Sequence, residues 1–420
     1  MLTVLTFLAT MLTLTSVSVS RSLTETRTAE RFVAKQQALY LAEAGADEVI
    51  QWIRNLPQPP ICAQNNYPCT VNPNNNPEAR HMGVGSYTAS VFLPASNHDS
   101  WIHNYVTTVA ATTDALPTTR TLTYQIRMES FARFAYFTNA ETTEEGYIGY
   151  WVTGNAFHGP FHTNGQMNLW GTPIFEGPVS TVAATVSCPW GCTPNFQQGI
   201  TQPVAPIPMP EPSLEELKNH ANLVLTGTTT VALAGNNLLV TNGGVTTSYN
   251  VGSTHAVYVQ GDLNIAGGEL NGQLTLGSSH DILVAGQVHY QCNPEDLTND
   301  PDCVNAQTGQ IEHNDDVLGL VAKHDVRIAT SAPSNLTIQA TVMAVQGAFK
   351  VDNYWCPPKG ILHVYGGIIA RYGGFTGITD GQTIFACYAE QHGFDQRLLN
   401  ISPPYYPTTG RYEGVYWAEQ

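Results

Sequence analysis

The chain has 420 residues, 17 Lys and Arg against 33 Asp and Glu, and a formal net charge of −16. Charged residues make up 12% while Gly (36) and Pro (26) are plentiful, a profile of an exported β-rich protein with many turns rather than a helical cytosolic enzyme or a disordered tail. No basic run is present, which excludes a nucleic-acid partner, because neutralising phosphates needs clustered cations.

The first predicted element is a long helix. Residues 1–20 carry no charge; twelve are apolar and eight are Ser or Thr. Twenty helical residues rise about 30 Å, the thickness of a bilayer core. The first Gly is Gly45 and the first Pro is Pro57, so one helix is predicted over 1–56. Thr3, Thr6, Thr10 and Thr13 recur at helical spacing, and such hydroxyls bond back to the preceding turn in an apolar medium. Beyond the apolar run, Phe32, Leu39, Ala42, Ala46, Val49 and Ile53 form a face that needs a sheet or other helices to cover it. Phe32, Leu39, Ala42, Val49 and Ile53 are the expected assembly face. A cleaved signal peptide ending near Ser20 is the rival reading; it normally opens on a basic region, which is missing here.

Residues 1–53 resemble the N-terminus of PilX-like type IV minor pilins and general-secretion pseudopilins. The stretch QALYLAEAG from Gln37 to Gly45 carries the resemblance. It implies an inner-membrane anchor that bundles with other pilin-like subunits as a filament core. The family's short basic leader and its cleavage glycine do not appear, and no Glu precedes Glu25. The resemblance therefore implies a start upstream of Met1, or a mature or truncated chain, and leaves both a filament-body and a tip position open, since some tip-located members also lack that Glu.

After the helix, 57–80 read as a Pro- and Asn-rich loop. The runs 86–93, 105–112 and 119–128 alternate apolar and polar residues and are expected to form a small antiparallel sheet under the helix, a pilin-like unit over 57–130. A turn-rich β segment follows over 131–200. It holds the aromatic run FARFAYF from Phe131, then GNAFHGPFHTNG from Gly154 and GTPIFEGPV from Gly171. With DQRLL from Asp395 and PPYYP from Pro403, this segment resembles an uncharacterised bacterial domain family attached to pilin-like N-termini. The connector 201–224 is Pro-rich up to Pro212, then predicts a short helix with Ser213 as cap, Glu216 three residues on, and Leu217 and Leu223 apolar.

From 225 to 420 a loose repeat recurs: AVYVQG from Ala256, DILVAG from Asp281, LGLVAK from Leu318, VMAVQG from Val342 and ILHVYG from Ile361. Units about 20–25 residues apart without hairpin turns predict a parallel β-solenoid, with a β-sandwich as the alternative. The fold class is α+β: a long membrane or filament helix, a small antiparallel sheet, then a large all-β domain.

Eight cysteines fall into four close pairs, Cys62/Cys69, Cys188/Cys192, Cys292/Cys303 and Cys356/Cys387, read as disulfides of an exported protein and expected as local staples of polar loops. Zinc is the rival for Cys188 and Cys192, though no second ligand pair follows. His158 and His162 are the best metal-like pair, but the intervening Gly-Pro makes a turn role the stronger reading. Asp296, Asp300 and Asp302 offer carboxylates to Ca²⁺ or form a solvated loop tied by Cys292–Cys303. Asp262, Asp281, Asp325 and Asp352 lie near strand ends without a convergent catalytic set, with only Lys323, Arg327 and Lys350 as basic neighbours. No nucleophile elbow, P-loop or dinucleotide fingerprint occurs. Arg371-Tyr372 and Tyr405-Tyr406 are candidate surface aromatics for a glycan.

The reading is a non-enzymatic, cofactor-free, type IV pilus or pseudopilus-associated minor pilin-like protein. It is anchored in the bacterial inner membrane and exported to the periplasm or a surface filament, for assembly, tip or adhesion. A surface glycan or protein is a further expected partner. The alternatives are an anchored β-solenoid carbohydrate-active enzyme and an envelope scaffold outside any filament.

Overall fold

The computed structural model describes residues 2–56, 60–62, 66–71, 80–95, 102, 104–297, 300–304 and 315–419. Most of the expected 57–80 loop thus lies outside the described residues. The chain forms two compact units, Met1–Glu129 with Gly410–Gln420, and Ser130–Thr409.

The first unit begins with α1, Leu2–Asn55. Its C-terminal half buries Ala34, Ala38, Leu41, Ala42, Gly45, Ala46, Val49 and Ile53. These residues recur every three or four positions, which places them on one helix face. The sheet beneath runs in the order Cys69–Thr70, Gly85–Leu93, Asn104–Thr113, Thr119–Ser130 and Thr408–Glu419, with Arg80–His81 beside Gly85–Leu93. The three strands predicted from alternation are antiparallel neighbours, with Tyr87 opposite Ala111 and Tyr105 opposite Ile126. Tyr87, Val91, Val109, Leu122 and Ile126 face the helix. The chain's last strand joins this sheet rather than the domain expected over 225–420, and Arg127 Nη2 pairs with Glu413 at 2.6 Å.

Small residues let α1 lie close to this sheet. A Cβ added at Gly45 would stand 2.7 Å from the Tyr87 ring and from Val109. Three of the five expected assembly-face residues, Ala42, Val49 and Ile53, are consumed by this packing, whereas Phe32 is exposed and Leu39 is half-buried.

In the second unit, strands pair in parallel along three ladders. The first carries an inward stack in the order Leu223, Val257, Leu276, Leu320, Val342, Ile368, Tyr136, Phe161, Val179 and Ile200. The second aligns Val231, Ile265, Val284, Ile328 and Val351. The third aligns Val288, Ile338, Val364 and His392. His392 stacks on Phe157 at 4.5 Å, and Phe157, Phe175 and Phe196 continue in parallel register. These inward side chains make one buried core, and the hydrogen-bonded network is closed on itself.

Sequence order and spatial order differ. The late strand Gly360–Tyr372 pairs with the early strand Tyr136–Ala140, so 131–200 extends the stack after residue 368. The connector after Ile200 therefore returns to the opposite end, to Leu223. Nine strand spacings are on the order of 43 Å. A dozen extended residues at about 3.1 Å each cover most of it. The Pro-rich composition of 201–212 suits that task. Along the way Asn164 Oδ1 accepts from Ile207 N at 2.9 Å, and Leu217 packs on Gly277. The helix α2, Glu215–His220, is preceded by Leu214 in a left-handed conformation with no side-chain cap, so Ser213 is not the cap expected from its spacing. Leu223 belongs to the following strand, Leu223–Thr226.

The outer face of the first ladder is apolar too, through Tyr258, Val321, Met343, Ile369 and Phe137. The chain covers it with Phe131, Phe134, Ile207, Leu217, Leu398 and Tyr406. Asp395 fixes the covering segment: its carboxylate accepts from Arg397 N at 3.0 Å and pairs with Arg397 Nη2 at 2.6 Å.

Hairpins are present where none was expected. Thr229–Gly235, Asn237–Asn242 and Val245–Asn250 are antiparallel. Asn242 leads into Gly243 and Gly244 at φ 58° and 82°, as a tight two-residue turn requires.

All four expected cysteine pairs are bonded: Cys62–Cys69, Cys188–Cys192, Cys292–Cys303 and Cys356–Cys387, with Cα–Cα distances of 5.7, 5.5, 4.6 and 4.9 Å in that order. The zinc reading of Cys188 and Cys192 gives way to this bond. Cys387 corrects the expectation that every bond is a staple within a polar loop. It lies inside the strand Ile384–Gly393, is fully buried, and belongs to the main apolar core. Its backbone is left-handed at φ 49°, unusual for a residue with a side chain, and it faces Gly377 in the short hairpin that strand makes with Gly377–Thr379. The bond spans 31 positions, and Cys387 N also donates to Cys356 O at 2.8 Å. Cys387 thus ties the turn carrying Cys356 to the sheet.

Two outcomes follow. Gly45→Val forces a branched side chain into the Tyr87 and Val109 contact and should destabilise the first unit by about 1–3 kcal/mol; an unchanged denaturation midpoint would refute the close packing. Peptide mapping without reductant should recover four linked pairs and no alkylated cysteine.

Candidate functional site

Two regions have surfaces that the fold itself does not use. The first is the N-terminal half of α1. From Leu2 to Ser20 it has no charge, and every residue is exposed, including Leu5, Phe7, Leu8, Leu12 and Val19. It is long and apolar enough to cross a membrane. Three hydroxyls of the Thr stripe are satisfied by the helix: Thr6 Oγ1 donates to Thr3 O at 3.0 Å, Thr10 Oγ1 to Phe7 O at 2.8 Å, Thr13 Oγ1 to Thr10 O at 2.8 Å. These three thus add no unsatisfied donor to an apolar medium.

The second is a cleft of about 530 Å³ in the second unit, at the junction where the strand at Ile368 meets the strand at Tyr136. Its aromatic lining includes Tyr147, Tyr150, Trp151, Tyr354, Tyr372 and Phe375. Trp151 packs edge-on to Tyr136 at 4.7 Å, and Tyr354 lies 5.3 Å from Phe375. Two carboxylates, Glu141 and Glu390, also line it, and among the described residues no Lys or Arg does. Glu141 is buried and accepts from the Thr138 hydroxyl at 2.5 Å. Burial raises its carboxyl pKa above the ordinary value, and the Thr138 hydroxyl that donates to it offsets only part of that. Glu390 Oε2 stands 3.0 Å from His392 Nε2. Burial, reinforced by the charges of Glu141 and Glu390, pushes the Tyr136 phenol well up.

The residues singled out from sequence fall elsewhere. His158 pairs with Glu176 at 2.7 Å on the surface. His162 is buried, with Nδ1 2.7 Å from Ser180 Oγ and Nε2 2.9 Å from Asn164 Oδ1, and it stacks on Phe137 at 5.1 Å. With both ring nitrogens engaged by side-chain oxygens, His162 caps the outer aromatic row. Among the described residues no group of three His, Cys, Asp or Glu side chains is placed to hold a metal. Asp300 orders its own loop, its two carboxylate oxygens accepting from Asn293 N and Asp302 N at 2.9 Å each. Asp281 and Asp352 flank Arg327 at 3.0 and 2.7 Å, and Asp325 pairs with Lys350 at 2.6 Å. Asp262 Oδ1 accepts from Asp281 N. Asp281, Asp325 and Asp352 thus form an ion-paired edge. Tyr406 is buried and Tyr405 stacks on His220 at 4.9 Å, so that pair is structural, whereas Tyr372 lines the cleft. Glu141 and Glu390, 249 positions apart in the chain, were not singled out from sequence; no spacing signal links them.

Compared with known proteins, residues 103–192 match a family model described as a domain of unknown function (DUF4900). No curated protein matches the chain. Among solved structures, the competence-associated pilin ComZ from Thermus thermophilus is similar at 12% identity, covering 92% of this chain and 97% of that chain, with a TM-score of 0.34.

One further buried acid gives a pH test. Asp316 accepts from Gly272 N at 2.6 Å and Cys292 N at 3.1 Å, yet burial pushes its carboxyl up to about 6. An acid whose folded pKa lies above its unfolded value holds its proton more tightly when folded. Its stabilising contribution is full below about pH 4 and is lost as pH rises through about 6. Relative to Asp316→Asn, the wild-type chain should therefore lose up to about 3 kcal/mol between pH 4 and 7. Urea unfolding of both proteins at the two pH values measures this, and a pH-independent difference would contradict it.

Proposed function

We propose that the chain is a type IV pilus or pseudopilus-associated minor pilin-like subunit, anchored in the bacterial inner membrane through α1 and exported with its two units outside. The observation that carries this reading is the division of α1: one face of residues 34–53 is buried on the subunit's own sheet, while the uncharged residues 2–20 are wholly exposed. An exposed apolar helix of that length is covered by lipid or by like helices. The QALYLAEAG resemblance supports the second partner, other pilin-like subunits.

In this reading the second unit is a parallel β-solenoid displayed by the anchor for tip or adhesive contact, not an enzyme. Three parallel ladders with inward aliphatic stacks support a solenoid over a sandwich of antiparallel sheets. The ion-paired edge at Asp281, Asp325 and Asp352 supports a non-catalytic role, because each acid already has a basic partner.

Leu8→Lys tests the assembly role, since Leu8 is exposed and a charge there is costly only in an apolar environment. A charge at Ala42 would instead break the subunit's own core. With Leu8→Lys, denaturation of the two units should be unchanged while carbonate-resistant membrane association and co-purification with pilin-like partners fall at least tenfold. Normal filaments would sink the assembly reading and favour a free-standing envelope scaffold; glycan hydrolysis by the purified chain would favour the enzyme.

A further inference from the structure

The cleft of the second unit combines three properties. It is walled by aromatic rings, it holds two carboxylates, and among the described residues no Lys or Arg lines it. Each has a chemical consequence. The face of an aromatic ring carries negative electrostatic potential, which attracts a cation within about 6 Å of its centre. A buried carboxylate needs compensation, and where a cation is missing its charged form is disfavoured. Elsewhere in this unit buried Asp395 is paired with Arg397, and buried Asp316 accepts from two backbone N–H groups, those of Gly272 and Cys292. Glu141 accepts instead from a side-chain hydroxyl, that of Thr138.

We propose that this cleft binds an organic ammonium cation, its positive group seated between the aromatic walls and the Glu141 and Glu390 carboxylates. A methylated ammonium is favoured over a metal ion. It is weakly hydrated and gives up its water to a ring face readily, whereas a hard divalent cation requires six or more oxygen ligands. A cleft of about 530 Å³ has room for the ammonium and for an apolar or hydroxylated body attached to it. A neutral saccharide would use the same rings and donate hydroxyls to the carboxylates, but would bring no positive charge to balance them. Thr138, by donating to Glu141, holds that carboxylate in one orientation before the ligand arrives. The proposal is independent of the role of α1, because every lining residue belongs to the second unit.

The test is calorimetric titration of the detergent-solubilised full chain. Its probes are choline, tetramethylammonium, butylammonium, and dimethylbutanol as the neutral carbon isostere of choline. Choline and tetramethylammonium should bind competitively, with dimethylbutanol at least tenfold weaker. Glu141→Gln and Glu390→Gln should each weaken choline at least tenfold with the denaturation midpoint retained; should the first variant fail to fold, the second carries the test alone. Butylammonium binding as tightly as choline would identify a primary amine as an equal source of the same charge, within the proposal. Equal binding of dimethylbutanol, no binding of any ammonium, indifference to both Gln substitutions, or saturable binding of cellobiose in place of the cations would each overturn it.

Discussion

The pairing of Ile368 with Tyr136 is the contact on which the second unit depends. It joins two stretches more than two hundred residues apart and turns two short stacks into one ten-rung ladder. Each strand of a parallel ladder leaves a hydrogen-bonding edge that must be closed or covered. Without this pairing the rungs from Leu223 to Ile368 and those from Tyr136 to Ile200 would each end in an open edge at the junction. Gly367 shows how tight the junction is, since a Cβ there would lie 2.3 Å from the Phe134 carbonyl. The same junction forces the connector to run the length of the stack and gives a physical role to its prolines, which extend the chain without needing partners for missing N–H groups. It also creates the cleft, whose floor includes Tyr136, Ile368 and Ala370.

The first unit rests on a different constraint, the closeness of helix and sheet. Ala38, Leu41, Ala42 and Gly45 fall at successive helical-face positions and are all buried. The QALYLAEAG stretch can therefore be understood as a packing sequence: small residues face the sheet, and Glu43 points away from it. A helix face used in this way is not also available to a partner. The surface left for assembly is the N-terminal half of α1, where the sequence is apolar without being amphipathic.

Local order was legible in the sequence wherever one physical signal dominated. The uninterrupted run before Gly45 marked α1, and alternation marked the three antiparallel strands almost to the residue. Cysteine proximity marked the four bonds, though not the setting of Cys387, whose place in a buried strand depends on pairing with distant residues. Register was not legible. The five repeat motifs look alike, yet Ala256–Gln260 and Val317–Ala322 sit in the first ladder, Ile282–Val284 in the second, and Val364 in the third. All three ladders need the same thing, a short alternation of inward aliphatics ended by Gly or a polar residue, so the pattern cannot say which side a segment takes. Nor could spacing reveal that 131–200 follows residue 368 in space, or that the last strand leaves for the first sheet. Those facts live in long-range pairing.

The cleft was hidden for the same reason, and charge accounting explains why it stands apart. With 17 basic residues against 33 acidic ones, cations are scarce in this chain. The structure places them where an acid is drawn out of water: Arg127 at Glu413, Arg397 at Asp395, Arg327 between Asp281 and Asp352. Asp316, buried as well, is held by two backbone N–H donors from Gly272 and Cys292 rather than by a cation. Glu141 occupies a position where an apolar residue would fill the core at lower electrostatic cost, because replacing buried charge by well-packed apolar groups is often neutral or stabilising. Its burial beside aromatic rings is then best understood as an electrostatic preorganisation, the negative half of a pair whose positive half comes from outside the chain.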